Sequence, residues 1–164
     1  MFSHIHPDNY EQQLSDKNQE MTALFSCFNL PTAEVFPSKP LNYRLRAEFR
    51  VWHQDDDLFY IMFNSDTKEK FRVDDFPVAS KLINQAMKAL LASIKNKKEL
   101  RYKLFQVDFL STLSGELLIS MLYHKPLEAI WEEKAKALKT ELSSIAPIDI
   151  IGRAKKQKII IDKN

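Results

Sequence analysis

The hydrophobic period of this sequence changes to two at residue 43, and that change limits the fold more than any other feature. Alternation of apolar and polar residues is typical of a strand with one face on the core and one in solvent. One set of alternate side chains is apolar: Tyr43, Leu45, Ala47, Phe49 and Val51. The other set is mostly charged: Arg44, Arg46, Glu48, Arg50 and Trp52. We therefore expect a half-buried strand in a sheet covered on one side.

Short polar links follow this strand. The segments 54–57 and 64–67 separate it from two further apolar runs, Leu58 to Phe63 and Lys70 to Val73. Links of this length join only antiparallel neighbours. The three runs therefore predict an antiparallel meander.

A later hairpin is predicted from Leu104–Leu113 and Glu116–His124. A two-residue turn at Ser114 and Gly115 would place Leu113 opposite Glu116. Extending that register down the ladder makes Phe105 and His124 cross-strand neighbours.

Helical spacing predicts amphipathic helices at Pro7–Phe28, after Asp75 as a cap, and from Pro126 to Leu142. Short strands are expected at 148–151 and 158–161, around a turn from Gly152 to Gln157. These elements predict an α+β fold: an antiparallel β-sheet, built of a β-meander plus a β-hairpin, with flanking amphipathic helices. We expect residues 1–40 to form a helix and proline-rich connector, and residues 41–164 to form the domain.

Composition excludes several classes of site. With only two glycines, Gly115 and Gly152, no glycine-rich phosphate loop can be built. The lone Cys27 has no disulfide partner and no predictable base. His4, His6 and Asp8 lack further ligands at usable spacing, so no metal site is expected. No window is apolar enough to span a membrane, and we expect a cytoplasmic protein.

The net charge of +2 requires any nucleic-acid surface to be local. Arg44, Arg46 and Arg50 are candidates, because three guanidiniums two or more residues apart on one strand face suit successive phosphates. The alternative is a solvated face in which Glu48 pairs with one arginine.

Phe105 and His124 form a second candidate site beside a basic run: Lys95, Lys97, Lys98, Arg101 and Lys103. Rings next to cations are typical of proteins that bind single-stranded or loop RNA. The alternative is a core phenylalanine and an ordinary histidine at a strand end.

Four segments resemble successive motifs of the bacterial tRNA (uracil-5-)-methyltransferases: AEVFPSKPLNYRLRAEFRVWH, FRVDDFPVAS, LRYKLFQVDFLSTLS and LLISMLYHKPLE. The resemblance runs over essentially the whole chain. It implies the RNA-binding part of an enzyme that methylates carbon 5 of the T-loop uridine of tRNA with S-adenosylmethionine.

The resemblance also implies roles for single residues. Arg50 would contact RNA, while Phe105 and His124 would enter the opened T loop and stack where bases have been displaced. Arg44, Arg46 and Lys103 complete the expected RNA-binding set. The expected partner is the tRNA T arm, with other RNAs carrying a similar hairpin as further candidates.

The family's catalytic motifs have no counterpart here. These are a glycine-rich cofactor motif, a DPPR-type segment, the nucleophilic cysteine of an SCNP-like motif and a glutamate base. We therefore expect the catalytic domain to be absent, and this chain to bind RNA without catalysing or binding S-adenosylmethionine. The alternative is a protein-interaction module that packs on the missing catalytic half or on another partner.

Overall fold

A computed structural model describes residue 2 and residues 5–161 of the chain. Within these residues, one seven-stranded sheet has the strand order β3-β2-β1-β4-β5-β6-β7. The strands are β1 Arg46–Gln54, β2 Asp57–Phe63, β3 Lys70–Arg72, β4 Leu104–Ser111, β5 Leu117–Tyr123, β6 Ile148–Ala154 and β7 Gln157–Ile161. The helices are α1 Tyr10–Leu24, α2 Lys81–Ile94, α3 Lys98–Arg101 and α4 Ala129–Leu142.

The predicted α+β fold is confirmed. β1, β2 and β3 form the meander, and β4 and β5 form the hairpin. One pair differs from the expectation of an antiparallel sheet, since β5 and β6 run parallel. α4 is the connection between them, and a helical crossover returns the chain in the same direction.

The core lies between the sheet and the helices. α2 buries one stripe of its surface against the apolar sheet face, and α4 buries another: Ile83, Ala86, Met87, Leu90 and Ile94 on α2, and Trp131, Ala135, Leu138 and Leu142 on α4. In β1, Ala47, Phe49 and Val51 are buried while the alternate residues are exposed. We call the opposite side of the sheet, with Arg50, Gln106, Leu122 and Arg153 in one row, the open face.

The expected helix cap at Asp75 is wrong. α2 begins after Ser80, whose hydroxyl accepts a hydrogen bond from Ile83 N at 3.2 Å. The segment before it is held in another conformation, because the Asn84 side chain accepts from Phe76 N at 2.7 Å and donates to Ala79 O at 3.1 Å. Tertiary hydrogen bonds thus delay the start of the helix.

The expected two-residue turn is also wrong. Ser111 pairs with Leu117, and Thr112 N donates to Glu116 O at 2.9 Å, so the loop has three residues, Leu113–Gly115. Gly115 has a φ of +90°, the positive value that three-residue hairpin loops require at their last position. Leu113 therefore does not face Glu116.

Gly152 lies inside β6 rather than in the expected turn, which comprises only residues 155–156. A Cβ atom at Gly152 would lie 2.3 Å from an atom of the Trp131 ring. The glycine is therefore a packing requirement of α4 on the sheet.

α1 is shorter than predicted, and a 3₁₀ turn at Pro7–Asn9 precedes it. No α1 side chain is fully buried. On its expected packing face, Tyr10 and Leu14 are half-buried, and the Tyr10 hydroxyl lies 3.3 Å from Ser38 Oγ. The division at residue 40 remains a prediction, and His4 and residues 162–164 lie outside the described residues. None of the helices in the described part of the chain is long and apolar enough to cross a membrane.

Candidate nucleic-acid interface

Arg50, Phe105 and His124 form a stack at one end of the open face. The Phe105 and His124 rings are nearly parallel, with an interplanar angle of 21° and centroids 4.1 Å apart. The Arg50 guanidinium carbon lies 4.4 Å from the Phe105 centroid. Because β4 lies between β1 and β5, Phe105 is the middle member. We call these three residues the ring stack.

A β-bulge places Phe105 there. Leu104 pairs with Tyr123 while Gln106 pairs with the adjacent Leu122, so Phe105 is an extra residue in β4. A bulge re-aims side chains at the rim of a sheet. The sequence prediction that Phe105 and His124 are neighbours is confirmed, but the regular register from which it was made is not.

The ring stack is accessible and cationic. Arg50 and His124 are exposed, and Phe105 is half-buried. In the described part of the chain, no carboxylate lies within ion-pair distance of Arg50. A flat ring pair flanked by an unpaired guanidinium can stack an unpaired base and hold the adjoining phosphate.

The other two arginines of the first strand do not join the ring stack. Arg46 is paired with Glu48, as the alternative interpretation of this face anticipated. Arg44 precedes β1, where its backbone bonds to Val78 and Ser80. At about 3.3 Å per residue, Arg44 lies roughly 20 Å along the chain from Arg50.

Lys103 lies beside the ring stack. His124 N donates to Lys103 O at 3.0 Å, and the exposed Lys103 ammonium is 5.5 Å from the Tyr102 centroid. Three other members of the basic run have protein partners, whereas the Lys98 side chain is exposed. Lys95 pairs with Asp57, Lys97 pairs with Glu141, and Arg101 donates to three backbone carbonyl groups.

Sequence reasoning missed Lys125, which follows His124 directly. Its ammonium donates to Glu99 O at 2.8 Å and lies 5.6 Å from the Tyr123 centroid. Partial burial lowers the pKa of Lys125 from its ordinary value. Its position directly after the candidate residue His124, in the segment MLYHK, was a sequence signal that could have identified it.

Two further cation–ring pairs were also missed, on the same face toward β3. The Lys70 ammonium lies 3.3 Å from the Trp52 centroid, and the Arg72 guanidinium carbon lies 4.7 Å from the Phe59 centroid. Arg72 also pairs with Asp57 and Asp74, and the hydrogen bond to Asp74 raises the pKa of Arg72. The Lys70–Trp52 contact spans β2, where Ile61 is only 2% exposed despite facing the open side. These pairs therefore cover the apolar part of the open face.

Among residue 2 and residues 5–161, no group of three or more His, Cys, Asp or Glu side chains could hold a metal ion. Cys27 is exposed, in the segment after α1.

Comparison with known proteins gives a family. The tRNA (uracil-5-)-methyltransferase family matches residues 9–164. The chain belongs to this family. A tRNA/tmRNA (uracil-C(5))-methyltransferase of Colwellia psychrerythraea is 76% identical over 164 residues, and one of Aliivibrio fischeri is 56% identical over 160 residues. One of Vibrio parahaemolyticus is 53% identical over 161 residues.

These relatives are longer than the chain. The Colwellia alignment covers 100% of this chain but 45% of the relative. The corresponding shares are 97% and 44% for Aliivibrio fischeri, and 98% and 44% for Vibrio parahaemolyticus. The match to the tRNA (uracil-5-)-methyltransferase family takes in α1, the whole sheet and the ring stack.

Proposed function

We propose that this chain is the RNA-recognition part of a tRNA (uracil-5-)-methyltransferase, and that it binds the T arm of tRNA. The ring stack carries the proposal. The loop would open onto Phe105 and His124, which replace the stacking that displaced bases lose, while Arg50 holds the backbone. Lys103 extends the cationic surface, and Arg44 and Arg46 contribute only if the RNA reaches the other end of β1. The cytoplasmic location expected from the sequence belongs to the same proposal.

The relatives' names include both tRNA and tmRNA. We extend the proposal to both RNAs, because recognition of a loop by stacking depends on its shape more than on the rest of the molecule.

Methyl transfer belongs to the complete family protein, with S-adenosylmethionine as the donor. The residues of this chain do not fit that cofactor. Gly115 lies in a three-residue hairpin loop and Gly152 lies under the Trp131 ring, so neither can bring a backbone close to a nucleotide. We therefore assign this chain binding and orientation of the RNA.

The test is binding of a labelled T-arm hairpin, compared with the same hairpin carrying a scrambled loop. The double variant Phe105→Ala, His124→Ala should lose the preference for the native loop. Each stacked base is worth about 1–3 kcal/mol, or about 5- to 150-fold in affinity. Phe63→Ala is the matched control, since Phe63 is 54% exposed on the same face at the opposite end of the strands. Equal loss of binding in Phe63→Ala, or an unchanged preference in the double variant, would contradict the proposal.

A second function is favoured by a different observation. Large apolar side chains are exposed along α1 and the connector after it: Met21, Leu24, Phe25, Phe28, Leu30, Val35 and Phe36. Such a run is typical of a protein-contact surface. We propose that it contacts the remainder of the family protein. Apolar docking should persist in high salt, whereas RNA binding should weaken.

A further inference from the structure

The hairpin of β6 and β7 carries four cations around its tip: Arg153, Lys155, Lys156 and Lys158. We call these residues the basic hairpin. Within the described residues, none of the four forms an ion pair. Arg153 lies directly opposite Lys158, and like charges at such a position destabilise a strand pair. An anion bound between them would remove that repulsion.

The basic hairpin adjoins the ring stack. β5 and β6 run parallel, with Tyr123 paired to Ala154, so His124 and Lys155 follow side by side. Neighbouring strands are roughly 4.8 Å apart. Arg153 pairs with Leu122 on the open face, in the row that also contains Arg50. The cations therefore continue the proposed RNA surface toward β7.

The turn on the opposite flank of the ring stack is acidic. Asp55 and Asp56 form a two-residue turn between β1 and β2, at the same end of the sheet as the basic hairpin. Both turns start at a residue with positive φ, +51° at Asp55 and +49° at Lys155. Asp57 follows the acidic turn and pairs with Arg72 and Lys95, and the Arg101 guanidinium donates to Asp56 O and Asp57 O. These three cations already have protein partners. Four strand spacings of ~4.8 Å put the two turns roughly 19 Å apart.

The geometry points to a direction for the RNA. We propose that the basic hairpin binds the sugar–phosphate backbone of the base-paired stem whose loop meets the ring stack. The stem leaves the site across β6 and β7, because phosphates are repelled by the acidic turn and attracted by the unpaired cations. Duplex RNA is recognised through its backbone and shape, which exposed Lys and Arg side chains can contact. This inference rests on the proposed function.

Directed cleavage tests the direction. An iron chelate is attached to a single cysteine in a Cys27→Ser background, at Lys156→Cys in one protein and at Asp56→Cys in the other. We expect the first protein to cleave the T-arm stem and the second to leave it intact. Stem cleavage from position 56, equal cleavage from both positions, or none from position 156 would overturn the proposal.

Salt dependence tests whether these lysines neutralise phosphates. Affinity for RNA falls as salt rises, so the slope of log affinity against log salt is negative. In the variant Lys156→Gln, Lys158→Gln this slope should be less steep by roughly 0.9 for each duplex phosphate that is no longer neutralised. The control Lys134→Gln, Lys136→Gln makes the same change in charge on α4, on the other side of the sheet. Equal slopes in the two variants would overturn the inference.

The Phe105→Ala, His124→Ala variant separates this inference from the proposed function. If it loses loop preference while the hairpin variant keeps the wild-type slope, the proposed function stands and this inference fails. If the wild-type chain binds no RNA, both fail.

Discussion

Phe105 owes its position to one extra residue in β4. In a regular strand Phe105 would alternate with Gln106 and share the buried face of Val107. The bulge lets Phe105 reach the open face, where Arg50 and His124 lie on its two sides. One unpaired backbone position thus creates the surface that we propose for RNA.

At Gly152 the packing of a neighbouring side chain restricts which residue can be present, because the Trp131 ring occupies the place of a Cβ atom. We predict that Gly152→Ala lowers the free energy of unfolding by about 1–3 kcal/mol, because the added methyl group overpacks the buried Trp131 ring. This cost exceeds the ~0.4–1 kcal/mol that an alanine contributes by restricting the unfolded chain. Denaturant unfolding measures the difference.

Trp131→Phe supplies the control, since it removes the two indole atoms that the new Cβ would meet and leaves Leu127 Cδ1, a flexible side-chain end at 2.7 Å, as the remaining close contact. In that background Gly152→Ala should be much less destabilising, giving a clear coupling energy in a double-mutant cycle. Additive effects would show that the clash is not the cause.

At the scale of elements, the start of α2 depends on Ser80. We predict that Ser80→Ala lowers the free energy of unfolding by about 1 kcal/mol, because Ile83 N loses its hydrogen-bond acceptor. Asp75→Ala should cost at most a few tenths of a kcal/mol, since Asp75 only pairs with Lys88 on the surface. Thermal unfolding of the two variants compares them, and a larger loss for Asp75→Ala would place the cap at Asp75 after all.

Two hairpin turns with the same backbone geometry differ in charge. The turns at 55–56 and 155–156 have the same length and the same positive φ at their first residue, but opposite charge. Backbone geometry sets where each turn lies, and the side chains set the electrostatic direction across the sheet.

At the scale of the whole molecule, we predict that residues 41–164 fold without the preceding segment. No α1 side chain is buried, and the main apolar contacts of the segment come from Phe2 and Ile5. Phe2 packs on Phe71 and Phe76, with ring centroids 5.7 and 5.3 Å apart. Deleting residues 1–40 should therefore lower the free energy of unfolding by no more than about 3 kcal/mol and keep unfolding cooperative.

The variant Phe2→Ala, Ile5→Ala in the full chain is the comparison, and it should reproduce most of that loss. Calorimetry of the shortened chain checks cooperativity. A broad, non-cooperative transition would mean that α1 and the connector are part of the domain.

The sequence by itself determined the fold class and most of the elements, because the period of two in β1 and the period of 3.6 in α2 and α4 report local geometry. It also identified Phe105 and His124 as neighbours, and the family. Its errors fell where distant contacts compete with local preference. The start of α2 depends on Asn84, and the place of Gly152 depends on Trp131.

Only the tertiary structure decided how the open face is charged. The sequence names Arg46, Lys95, Lys97 and Arg101 only as members of basic segments and leaves open a pair between Glu48 and one arginine. In the structure each of the four has a protein partner. Arg153 and Lys158 lie on the same side of the sheet as the ring stack because the crossover through α4 places β6 beside β5, and β7 pairs with β6. The physical reason is that hydrophobic periodicity depends only on residues close in sequence. Ion pairing and strand order depend on which distant segments come into contact.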